Sequence, residues 1–140
     1  MRTTDDDGAM VAPAETVLVV DDEVLVRMVI AAYLRDCGYR VIEAADVTEA
    51  MLALEQDKAG AVGVVLSAVA LSGEYDGFTL AQWIRRHRPG CEVVLAGTAA
   101  RAADAAGDLC EQGPMLARPY EPQIVLDRIR RLLARRSPKA

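Results

Sequence analysis

Apolar and polar positions fall into alternating blocks along the chain. Val17-Leu18-Val19-Val20 is a continuous apolar run of strand length. Runs without alternation suit strands covered on both faces. Asp21-Asp22 closes the run, and Val26, Val29, Ile30, Tyr33 and Leu34 then recur at helical spacing, which predicts a helix with one buried face. Gly38 stops that helix as a glycine just past its carboxyl end. Residues 40–44 predict a second strand. Asp46 or Thr48 caps the next helix, whose inner face is Val47, Ala50, Met51 and Leu54. Residues 62–67 form a third, β-branched run. A loop at 72–77 leads into a helix with Leu80, Ala81 and Ile84 inward, which Pro89-Gly90 breaks. Residues 92–96 predict the fourth strand, and 99–111 an Ala-rich helix. That helix has few large anchors and is expected to be the least firmly packed. Residues 115–117 predict a short fifth strand, and 121–135 a last helix with Val125, Ile129, Leu132 and Leu133 inward.

Strand–helix alternation of this length implies a parallel sheet with helices on both faces, wound by right-handed crossovers. Composition agrees with one domain: 140 residues, 52% apolar and 26% charged, with a formal net charge of −5. The apolar share is too high for a disordered chain. No apolar run is long enough to span a membrane. Residues 1–15, with Asp5, Asp6 and Asp7, read as a flexible leader, neither a secretory signal nor a transit peptide. Residues 16–136 form the domain, and 137–140 a frayed tail. Three cysteines, Cys37, Cys91 and Cys110, give an odd count without CxxC spacing. That argues against a disulfide framework or a zinc site and suits a reducing cytoplasm. Each cysteine is read as a small buried hydrophobe. A single histidine, His87, excludes a multi-histidine metal centre.

In an open parallel sheet the functional crevice lies beyond the carboxyl ends of the strands. Those ends carry Asp21-Asp22-Glu23, Ser67-Ala68-Val69, Ala96-Gly97-Thr98 and Ala117-Arg118-Pro119-Tyr120. Together with Tyr75-Asp76-Gly77-Phe78, and in this order, they resemble the receiver domain of bacterial two-component response regulators. The resemblance implies a flavodoxin-like (βα)5 fold with strand order 2-1-3-4-5. It also implies transfer of a phosphoryl group from a histidine kinase onto an aspartate, with Mg²⁺. Carried over residue by residue, the acidic pair is Asp21 and Asp22, the metal-holding positions. The acceptor aspartate falls at Ala68. The hydroxyl residue falls at Ala96, with Thr98 as a less favoured candidate. The lysine is Arg118, the aromatic switch position is Met115, and the usual proline after the third strand is Ser72.

These departures have chemical consequences. A methyl group is neither nucleophile nor ligand, so position 68 accepts no phosphoryl group. With one carboxylate gone, Mg²⁺ is expected to bind weakly or not at all. The Arg118 guanidinium is expected to reach the acidic pair in the cation's place. Capping of the following helix remains an alternative role for Asp21 and Asp22, and an ordinary surface position for Arg118. Ser67 should point away from the crevice.

The reading is therefore a stand-alone atypical receiver, cytoplasmic and not an enzyme. It acts through a histidine kinase or a downstream target protein, with Met115 and Tyr120 at the partner surface and a homodimer left open. The basic carboxyl-terminal residues, Arg128, Arg130, Arg131, Arg135 and Arg136 among them, are read as a solvated helix face, with no nucleic-acid or membrane role. Alternatives are an ordinary phosphorylatable receiver with an inactivating substitution at 68, a small Mg-dependent enzyme using Asp21 and Asp22, and a nucleic-acid adaptor.

Overall fold

The structure, a computed structural model, describes residues 16–111. The elements run β1 (Thr16–Val20), α1 (Val24–Asp36), β2 (Arg40–Ala44), α2 (Val47–Gln56), β3 (Val62–Ala68), α3 (Gly77–His87), β4 (Glu92–Ala96) and α4 (Ala99–Glu111). All pairings are parallel, and the sheet order is β2-β1-β3-β4. Among the described residues the sheet has four strands, against the expected five in order 2-1-3-4-5. The expected fifth strand at 115–117 and last helix at 121–135 lie outside the described residues.

β1 is buried along its whole length, as its unbroken apolar run requires. Successive side chains of a strand point to opposite faces, so β1 feeds two cores. Val17 and Val19 pack with Val64 and Leu66 of β3 beneath α1 and α4. Leu18, Val20 and Val65 pack beneath α2 and α3. A register shift between Thr16 and Val17 lets β3 keep this division. Leu18, Leu34, Leu80 and Ile84 have 0% of their surface exposed, and each contributes about 2–3 kcal/mol of hydrophobic stabilisation.

Local signals set the helix ends. Asp46 caps α2, its carboxylate accepting the Glu49 amide at 2.8 Å. Past the end of α1, Gly38 takes φ +102°, a left-handed conformation that lets the chain turn into β2. Asp57 accepts the amides of Ala61 and Val62 and pairs with Arg88 at 3.0 Å. The other amino group of Arg88 donates to the Leu54 carbonyl. This knot joins the end of α2, the start of β3 and the end of α3.

α4 departs from expectation twice. It is not loosely held: Ala102, Ala103, Ala106, Leu109 and Cys110 are buried. Small side chains let the helix lie close to α1, and the Tyr39 hydroxyl donates to the Leu109 carbonyl at 2.5 Å. Cys37 and Cys110 form a disulfide with Cα atoms 5.4 Å apart, within the ordinary span of such a bridge. The reading of all three cysteines as unlinked hydrophobes is thereby overturned for two of them, and Cys91 stands outside the bridge. The inference of a reducing compartment from cysteine usage loses its basis as well. No spacing rule could reveal a pair 73 residues apart whose meeting depends on where two helices end.

Candidate functional site at the carboxyl edge of the sheet

Register brings the strand ends together. Val20 lies opposite Ser67, and Ala68 lies opposite Ala96. Beyond these ends is a crevice of about 230 Å³ lined by Asp21, Asp22, Ala68, Ala96, Thr98 and the first turn of α1. Four residues singled out from the sequence, Asp21, Asp22, Ala68 and Ala96, thus share one site. Arg118, Met115 and Tyr120 lie outside the described residues.

Each acid is already engaged. Asp21 Oδ1 accepts the Glu23 amide at 2.9 Å. Burial and the neighbouring charge of Asp22 push the Asp21 pKa up to about 6, against a lowering pull from Arg27. Asp22 Oδ2 accepts the Ser72 amide at 2.8 Å, a bond that reaches across to the loop after β3. A proline at position 72 would have no N–H to give.

That loop is pinned at both ends. The Val69 amide donates to the Ala96 carbonyl at 3.2 Å, and the Gly77 amide donates to the Val69 carbonyl at 2.8 Å. Asp76 caps α3 by accepting the Thr79 amide and hydroxyl, and the amide bond holds its carboxyl below the usual range. Gly77 permits the close approach of α3 to β3. A Cβ there would run into the Ala68 carbonyl oxygen and lie 3.1 Å from the Val69 Cα. The Asp-Gly pair of the Tyr-Asp-Gly-Phe motif therefore serves to seat α3 beside the crevice.

Two hydroxyls near the site are committed elsewhere. Ser67 is buried, and its Oγ donates to the Ala68 carbonyl at 2.8 Å. Thr98 Oγ1 accepts the Arg101 amide at 3.1 Å at the start of α4. Sequence reasoning missed Arg27, which donates to the Asp21 carbonyl at 2.8 Å and pairs with Glu43 at 3.2 Å. Its place on the α1 flank facing β2 was the available signal. The contribution of Ser72 was missed too, because it comes from the backbone and not the side chain. Among the described residues no group of three or more His, Cys, Asp or Glu is arranged to hold a metal ion.

The model of the response regulator receiver domain matches residues 17–130. The chain belongs to that family. Receivers of two-component systems are signalling modules that interact with kinases and downstream effectors. Transcriptional regulatory protein GltR of Pseudomonas aeruginosa is 31% identical over 129 residues, covering 90% of this chain and 52% of that protein. The receiver thus spans about half the length of this curated relative. The crystal structure of the receiver domain of NtrX from Brucella abortus is similar at 25% identity and TM-score 0.54, covering 84% of this chain and 97% of that one. A response regulator receiver domain protein from Clostridium thermocellum, at 21% identity and TM-score 0.56, covers 87% of this receiver and 96% of its own chain and shares the fold. The receiver is a flavodoxin-like α/β domain with a parallel sheet. No helix among the described residues is long and apolar enough to cross a membrane.

Proposed function

We propose that this receiver is atypical: it takes no phosphoryl group at the usual position and signals through contact with a protein of a cytoplasmic two-component pathway. The observation that carries the reading is the methyl group of Ala68 at the end of β3, beside Asp21 and Asp22 and opposite Ala96. Aspartyl phosphorylation needs a carboxylate oxygen at that point, and a methyl supplies none. The neighbouring hydroxyls do not replace it. Ser67 is buried on its own carbonyl, and Thr98 caps α4.

The donor set does not fit Mg²⁺ either. The ion demands near-octahedral oxygen coordination. One oxygen of Asp21 is held by the Glu23 amide, one oxygen of Asp22 by the Ser72 amide, and the third carboxylate is absent. Backbone N–H groups here give the acids part of what a cation would, and we assign the remaining positive charge to Arg118, which lies outside the described residues. Asp21, Asp22, Ala68, Ala96 and Arg118 are thus a degenerate pocket.

Recognition then falls to the surface around the crevice. Val24 and Met28 on α1 and Tyr75 and Phe78 beside α3 are exposed apolar residues, each at least 41% accessible. Val24 and Met28 lie in the first two turns of α1, Tyr75 in the loop before α3 and Phe78 in its first turn, all on segments that start from the carboxyl edge of the sheet. Such a rim suits a protein partner better than a small ligand. Met115 and Tyr120 extend the proposed partner surface.

The test is treatment of the chain with a small phosphodonor and Mg²⁺, followed by intact-mass measurement and peptide mapping. The wild-type chain should show no phosphoryl adduct, whereas a conventional receiver run in parallel should. A donor-dependent adduct mapped to Asp21 or Asp22 would overturn the proposal.

A further inference from the structure

The ends of α2 and α3 meet at the amino edge of the sheet, the edge away from the acidic crevice. Arg88, just past α3, donates to the Leu54 carbonyl and to Asp57 at 3.0 Å, which ties the two ends together. Beside this junction is a cavity of about 360 Å³ lined by Leu54, Glu55, Lys58, Trp83, His87 and Arg88. Its size falls in the usual range of small-molecule sites, about 300–1,000 Å³.

One wall is aromatic. Trp83, the single tryptophan of the chain, rests on the core beneath α2 and α3 but is only half-buried. His87, one turn later, stacks on it with ring centroids 4.5 Å apart and ring planes 22° apart. Its Nδ1 lies 2.9 Å from the Trp83 carbonyl oxygen. A carbonyl only accepts, so Nδ1 donates, the imidazole is fixed in orientation, and Nε2 of the neutral ring is left as an acceptor. The rim is basic: on the two helix ends Lys58, Arg85, Arg86 and Arg88 outnumber Glu55 and Asp57. Asp57 is already answered, since it accepts the Ala61 and Val62 amides and pairs with Arg88. Arg88 keeps N–H donors beyond those given to Leu54 and Asp57. Lys58 is exposed, and among the described residues its ammonium is in no ion pair.

We propose that this cavity binds a small planar aromatic anion: its ring stacks on the His87–Trp83 wall, and its anionic group is held by Lys58 and Arg88. An aromatic face accepts many flat rings, so the choice of ligand falls to the charged donors. Glu55 and His87 Nε2, both in the lining, are acceptors for an amino or hydroxyl group on the ring. A nucleoside monophosphate and an aryl carboxylate both offer this chemistry. The occupant shares Arg88 with the knot that fixes the start of β3, the strand that ends at Ala68. An occupied cavity is therefore an input that does not pass through position 68. The site stands whether or not that position accepts a phosphoryl group.

Trp83 reports on its own cavity, because no other tryptophan contributes to the emission. The full 140-residue chain is titrated with adenosine monophosphate, benzoate, benzylamine and inorganic phosphate, followed by tryptophan emission and by calorimetry. One or both aromatic anions should bind saturably, with a Kd in or below the low-millimolar range. The tighter of the two tells nucleotide from aryl carboxylate. Benzylamine lacks the negative charge and phosphate lacks the ring, so each should bind roughly tenfold more weakly. K58E should weaken binding of the preferred anion by roughly tenfold. R101E, on α4 at the other edge of the sheet, should leave that affinity unchanged. Failure of both aromatic anions to bind saturably, or benzylamine binding as tightly as the preferred anion, would overturn the proposal. So would equal affinity in K58E and wild type, or a loss in R101E as large as that in K58E.

Discussion

The raised pKa of Asp21 makes a quantitative prediction about stability. In the folded chain this carboxyl titrates near pH 6, against an ordinary value of 3.8, because burial and the Asp22 charge disfavour its ionised form. Between these values the folded state holds a proton that the unfolded state has released. The Asp21 contribution is therefore most favourable below pH 4 and is lost as pH rises through 6. A rise of roughly two in pKa corresponds to about 3 kcal/mol at full strength. Asp21 is only part-buried, and solvent screening reduces this to about 1–2 kcal/mol. D21N removes the charge but keeps an oxygen for the Glu23 amide. It should match the wild type near pH 4 and exceed it by about 1–2 kcal/mol at pH 7.5. Urea unfolding across that range, with a chelator present, measures both curves. Asp76 is held below the ordinary carboxylate range by the Thr79 amide. Asp57 is held there too: burial pushes it up, but the Val62 and Ala61 amides and Arg88 outweigh that. Their contributions are lost only as pH falls below about 3.8, so the interval from 4 to 6 isolates Asp21. A D21N curve parallel to the wild-type curve through that interval would refute the reasoning.

Three further substitutions probe the frame of the site. G77A should destabilise by about 2–4 kcal/mol in urea unfolding, opposite to the usual gain of glycine-to-alanine in a helix, because the new Cβ meets the Ala68 carbonyl. D76A should cost about 1 kcal/mol through loss of the α3 cap, read by the same assay. R88M should cost about 1–3 kcal/mol at pH 7, and the wild-type and R88M curves should converge as acid below pH 3.8 protonates the depressed Asp57 carboxyl.

Much of the frame was legible because local chemistry dictates it. The bounds of β2 and β4 follow from apolar runs closed by polar or turn residues. The inner faces of α1 and α2 follow from helical spacing, and Asp46 and Gly38 mark helix ends by their own side-chain and backbone properties. The crevice acids were legible because parallel strands must place their carboxyl ends together. What was not legible depended on contacts between distant segments. The disulfide needs the ends of α1 and α4 to meet, and helical periodicity says nothing about which face of the sheet α4 takes. Alanine-rich composition was misread as weak anchoring, when small side chains are what allow α4 to sit close to α1. The bond from Ser72 to Asp22 belongs to the backbone, and side-chain identity does not announce it.

That single bond also has a thermodynamic consequence. It latches the segment after β3 to the segment after β1 across the mouth of the crevice. Anything that competes for the same Asp22 oxygen must first release the latch, at a cost of about 1.5–3 kcal/mol for a hydrogen bond to a charged group. Occupying the acid and freeing the loop are then one event. A visitor to the crevice would be sensed in the loop between Ser72 and Tyr75, ahead of the seated start of α3.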